Sequence, residues 1–128
     1  MAEMSNFLEN ALINATLRNT TYTSPATVYI SLWTSDPTDA GSGTEVSGGS
    51  YARTAVTMGA PSNGVSLNSA DVTFPTATAS WGTVGWIGIN DALSSGNLLY
   101  HSPLDTAKTI DSGDIFKIST GNLSVTLA

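Results

Sequence analysis

The hydrophobic and polar positions of this chain alternate most clearly over Val28–Trp33. Val28, Ile30 and Leu32 point one way, and Tyr29, Ser31 and Trp33 the other. That period of two, built from β-branched and aromatic residues, predicts a strand with one apolar and one mixed face. Ahead of it the period changes. Leu8, Ala11, Leu12 and Ala15 recur at helical spacing, and Ile13 and Leu17 lie four apart on a second side. A helix is expected over about 6–18, with Asn6 as N-cap, Glu9 completing a capping-box-like pair, and Arg18 in the last turn against the dipole.

After the first strand only short strand-like runs follow. Asp36-Pro37 starts a turn, and the Gly- and Ser-rich stretch Ala40–Ser50 is expected to be a long flexible loop. Tyr51–Met58 alternates as a strand, and Asn63-Gly64 is a strong hairpin signal. Val65, Leu67 and Ala70–Phe74 supply a further strand or two. Thr83–Asn90 is expected to be a central strand, its glycines admitting a bulky neighbour over the backbone or marking a bulge. Leu98–His101 reads as a strand, Pro103–Lys108 as a connector, and Ile115–Ser119 and Leu123–Leu127 as the last two strands. One N-terminal helix and about eight short strands predict a mainly β fold, an antiparallel β-sandwich or jelly-roll-like barrel. Residues 1–128 form one expected β-rich domain, with the sandwich over about 27–128.

Composition sharpens this picture. Hydrophobic residues make up 41% of the 128, enough for a core, but charged residues only 11%, against a usual share of about 25%. A surface so poor in charge suits a chain packed against other proteins. The net charge of −6 offers no basic patch for phosphate, so nucleic acid is not an expected partner. There is no Cys, hence no disulfide and no thiolate site. The N-terminal residues show no basic and apolar leader pattern, and no apolar run has the length to span a membrane.

Chemistry is sparse. The lone His101 has no second His or Cys beside it in the sequence, and it reads as structural. No Gly-x-Ser-x-Gly elbow occurs. Asp36/Asp39 and Asp111/Asp114 sit in turns, where Asp caps its own backbone. Glu45 and Arg53 are expected to pair locally rather than catalytically. Trp33, Trp81, Trp86 and Tyr51 would make a sugar platform if exposed, but a core role is favoured. No catalytic residue, cofactor or metal is expected, and the chain is read as a non-enzyme.

Six phrases carry a resemblance. They are Leu8–Leu12 (Leu-Glu-Asn-Ala-Leu), Val28–Asp39, Gly43–Arg53, Asp71–Pro75, Trp81–Val84 and Gly96–Tyr100, with Glu45–Arg53 (Glu-Val-Ser-Gly-Gly-Ser-Tyr-Ala-Arg) the most specific. Together they resemble a family of small tailed-bacteriophage virion proteins, labelled phage tail fibre protein or phage structural protein. The resemblance implies a virion component made in the host cytoplasm. It carries over no catalytic residues. The expected role is a capsid decoration or cement protein stabilising the outside of the head. The alternative is a tail- or head-fibre component or adaptor that touches host glycan, with a free carbohydrate-binding module third. Expected partners are the major capsid protein or other virion proteins and further copies of the chain, with no membrane. Leu8, Leu12, Ile13, Leu17, Glu45, Tyr51 and Arg53 are the candidate assembly contacts.

Overall fold

The computed structural model describes residues 2–127; Met1 and Ala128, the ends of the expected 1–128 domain, lie outside the described residues. In chain order the elements are β1 (Glu3–Met4), α1 (Asn6–Leu17), β2 (Val28–Trp33), β3 (Thr54–Val56), β4 (Val65–Leu67), β5 (Val72–Thr73), β6 (Gly82–Asn90), β7 (Leu98–Ile110), β8 (Lys117–Ile118) and β9 (Ser124–Thr126). Five strands form one antiparallel sheet in the order β1-β7-β6-β2-β3. Two antiparallel ladders, β4–β9 and β5–β8, make the rest. The large sheet ends at β1 and β3, so it stays open and the barrel alternative falls away.

The core lies between the large sheet and the two ladders. Ile30 pairs with Ile89 and Leu32 with Ile87 across β2 and β6, which sets four branched side chains on one face. Val72, Phe74, Phe116, Ile118 and Val125 meet them from the ladders. Each such side chain contributes about 1.5–3 kcal/mol on full burial. Aromatic rings fill the centre. Phe74 stands edge-on to Phe116 at 5.6 Å between centroids, and Tyr51 meets Trp81 edge-on at 5.4 Å.

The mixed face of β2 is buried as well: Ser31 is 0% and Trp33 5% exposed, in keeping with the core role expected for Trp33. Leu98 lies against these groups over Gly88, and the polar atoms there bond to each other. Trp33 Nε1 donates to Ser31 Oγ at 2.8 Å, and Ser31 Oγ donates to Asn90 Oδ1 at 2.6 Å.

The glycines of β6 take both expected roles. A Cβ on Gly88 would stand 2.6 Å from Ser31 Oγ, 2.8 Å from Leu98 Cδ1 and 2.9 Å from Trp33 Nε1, so only Gly lets these groups close over the strand. Gly85 sits where the register jumps: Trp86 faces Pro103 but Val84 faces Lys108. The expected connector Pro103–Lys108 is therefore an outward bulge inside β7, with residues 104–107 opposite Gly85 alone.

Several local expectations shift. The N-cap of α1 is Ser5, not Asn6. Ser5 is extended, at φ −71° and ψ 160°, because its N–H bonds to Leu99 O at 2.8 Å, and its hydroxyl accepts from Leu8 N. The chain thus turns into the helix one residue early, and the Asn6–Glu9 box does not form. Arg18 is the C-cap and bonds Asn14 Oδ1 rather than standing in the last turn. The stretch 40–50 is fastened rather than free: Thr34 N bonds Thr44 O, Val46 N bonds Leu32 O, and the Val46 side chain enters the core. Asn63 and Gly64 both have positive φ, as a two-residue hairpin turn requires, yet the hairpin is a single bridge between Ser62 and Val65. β4 pairs instead with β9.

Candidate functional site

Three places gather the groups that could act on something outside the chain. The first is the sequence-specific phrase ending at Arg53. Its guanidinium meets Glu45 through Nη2–Oε1 at 2.8 Å and Nε–Oε2 at 2.9 Å. Arg53 Nη1 donates to the carbonyls of Ala92 and Ser95 at 3.0 and 2.8 Å. The Tyr51 hydroxyl donates to Glu45 Oε2 at 2.6 Å and accepts from Leu32 N at 3.0 Å. Burial first, and then the bond to Glu45, pushes the Tyr51 phenol far above its usual range. The bond to Glu45 also holds the Arg53 guanidinium more firmly charged. Both carboxylate oxygens are engaged, so the local pair expected from the sequence works as a clamp between the segment 45–53 and the loop 91–96.

The second place is α1. Leu8 is 3% exposed and turned toward the protein's own sheet. Leu12 is half-buried. Ile13 and Leu17 stand out in solvent at 54% and 79% exposure, with Phe7 at 41%. At about 100° per residue, Leu17 lies about 180° round the helix from Leu8. The two apolar sides read from the sequence are therefore real, and only one of them is covered by the chain itself. Of the seven expected contacts, Ile13 and Leu17 are thus presented outward, Leu12 partly so, and Leu8 is turned inward. Glu45, Tyr51 and Arg53 are bonded to one another.

The third place was not read from the sequence. His101 Nε2 lies 2.7 Å from Asp39 Oδ1 and 3.8 Å from Glu3 Oε2. His101 is buried on the same face of the sheet as Gly88, its partner in β6, and it pairs across β1 with Glu3. Asp39 is brought in by the turn after β2, where its carbonyl accepts from Asn6 N at 2.9 Å. Two of the other turn aspartates behave as expected: Asp36 accepts from Thr38 N and Asp114 from Asp111 N. Asp39 does not, because its carboxylate points at the histidine. Residues 3, 39 and 101 share no local spacing, so only the sheet register and the turn join them.

The aromatic platform is largely interior. Trp33 and Trp81 are buried, with Trp81 Nε1 donating to Gly49 O, while Trp86 and Tyr51 are half-buried. No helix among the described residues is long and apolar enough to cross a membrane.

No curated protein matches the chain. A protein family does. The family described as "Podophage GP4 fiber I protein gp80" matches residues 3–126. That span takes in all six phrases of the resemblance, and the chain belongs to this family of phage virion fibre proteins.

Proposed function

We propose that the chain is a compact globular component of a phage fibre, that it works by packing against other virion proteins, and that it performs no reaction. The observation that carries this is the outward face of α1, where Ile13 and Leu17 hold apolar surface in water on the side opposite Leu8. The low share of charged residues supports it, since a surface of Ser, Thr, Asn and Gly can be desolvated at less cost than one of Lys and Glu. The clamp of Glu45, Tyr51 and Arg53 supports the absence of catalysis at that point, since both oxygens of Glu45 are engaged. The expected partners are further copies of the chain and neighbouring virion proteins. A repeated subunit on a symmetric particle needs such a self-complementary or head-to-tail surface.

A second reading, a decoration or cement protein on the capsid, rests on the compact fold and on a sequence without fibrous repeats or heptads. One measurement separates the two. Immunogold labelling of purified virions, with quantitative mass spectrometry of copy number, is expected to place the chain on a fibre at low copy number. Label spread over the head, at a copy number matching the capsid lattice, would establish the cement reading instead. Light scattering on the purified chain tests assembly itself: a monomer at all concentrations, unchanged by Leu17→Asp, would remove the α1 face as a contact between copies.

A further inference from the structure

We propose that Glu3, Asp39 and His101 form a binding site for a divalent transition-metal ion of the zinc class. One ligand atom from each lies within 4.8 Å of the other two. A tetrahedral ion with bonds of about 2.0–2.1 Å needs donor atoms about 3.3–3.4 Å apart. The two measured separations from His101 Nε2, 2.7 Å to Asp39 and 3.8 Å to Glu3, fall on either side of that value. Movements of about half an ångström bring each carboxylate to that distance from the ring, and both carboxylates are exposed while the ring is buried.

The surroundings favour a cation. Neither Glu3 nor Asp39 makes another side-chain hydrogen bond or an ion pair with Lys or Arg among the described residues. With neutral imidazole the group carries two negative charges, and a dication cancels them. The rigid member is also the selective one. His101 is 5% exposed and fixed by ladder pairing on both sides, to Gly88 and to Glu3. An imidazole nitrogen with two carboxylates suits zinc, cobalt or nickel, while calcium and magnesium prefer all-oxygen sets. Three protein ligands leave a fourth position for water.

The ion's effect would be mechanical. It would tie β1, the turn after β2 and β7 at one point, joining residues 62 positions apart in the chain between Asp39 and His101 alone. A ligand that holds only the folded form stabilises it by mass action. The site stands apart from the outward face of α1 and does not depend on the proposed function.

The test uses the full chain without a histidine tag, stripped with EDTA and dialysed to neutral pH. Zinc titration by calorimetry is expected to give one ion per chain and a Tm that climbs with zinc. Cobalt in its place is expected to give the visible absorption of a four-coordinate ion. Calcium and magnesium are expected to move Tm little. Glu3→Gln, at a strand end with an exposed side chain, keeps the fold and is expected to weaken zinc about tenfold or more; Asp39→Asn is expected to do the same. Three results would overturn the site: no zinc-dependent Tm shift, zinc binding unchanged in both variants, or calcium binding as tightly as zinc.

Discussion

Arg53 grips Glu45 with two parallel bonds and gives its remaining nitrogen to the carbonyls of Ala92 and Ser95, so one side chain fastens two loops. The Arg53 side chain is 10% exposed and that of Glu45 22%. Removing one partner of a buried pair leaves the other charge stranded, at about 3–5 kcal/mol, and the residual solvent at Glu45 lowers this to about 2–3 kcal/mol. Arg53→Met is expected to cost that much in urea unfolding. Arg53→Lys is expected to recover little of it, because an ammonium cannot make the planar fork. A lysine variant as stable as the parent would show that charge alone, without geometry, holds the loops.

Tyr51 adds a pH dependence to the same clamp. Burial, then its bond to Glu45, raises the phenol's pKa in the folded protein. The unfolded chain gives up that proton near the ordinary value of about 10. Above that pH the unfolded state binds fewer protons than the folded one, so stability falls as pH rises. Tyr22 and Tyr100 are displaced in the same direction, each first by burial, so they share in the slope. Unfolding free energies measured on both sides of pH 10 are expected to drop toward alkali, and Tyr51→Phe is expected to flatten the drop. An unaltered slope in Tyr51→Phe would mean that its phenol titrates alike in both states.

The sequence is legible where one residue type has one physical use. Val28–Trp33 and Thr83–Asn90 announce themselves by β-branched and aromatic content, and they lie in the neighbours β2 and β6 at the middle of the large sheet. It is silent where the partner is remote. Ser31 sits as a polar residue on a mixed face, and nothing local says that Leu98 will pack beside it. Ser5 looks no better a cap than Asn6 until its N–H is seen bonded to Leu99. His101 reads as solitary because its carboxylates come from residues 3 and 39. The last two strands follow each other in sequence but pair with β5 and β4, a choice made by the core.

Gly88 and Gly85 make a matched test of packing in one strand. A methyl group at Gly88 would collide with Ser31 Oγ, Leu98 Cδ1 and Trp33 Nε1, whereas one at Gly85 meets nothing within 4 Å. Gly88→Ala is expected to destabilise by about 1–3 kcal/mol through overpacking and to disturb the Trp33 environment seen in near-UV circular dichroism. Gly85→Ala is expected to stay within about 0.5 kcal/mol of the parent, with any gain coming from a stiffer unfolded chain. Equal costs at the two positions would mean that the bulge at Gly85 needs glycine for its backbone and not for space.

The two sides of α1 separate folding from assembly. Leu8 is enclosed by the protein's own side chains, so Leu8→Ala leaves a hole and is expected to cost about 2–4 kcal/mol. Leu17 projects from the opposite side into solvent, where a substitution typically changes stability by less than about 0.5 kcal/mol. If the outward face is where copies meet, Leu17→Asp and Ile13→Asp abolish association while the urea midpoint of the chain holds, and Leu8→Ala does the reverse. Both quantities come from the same preparations, by light scattering and by denaturant titration. Should Leu17→Asp instead lower stability in a chain that is monomeric from the start, the outward leucine would be serving the monomer's own fold, and the apolar side of α1 would cease to be evidence for a partner.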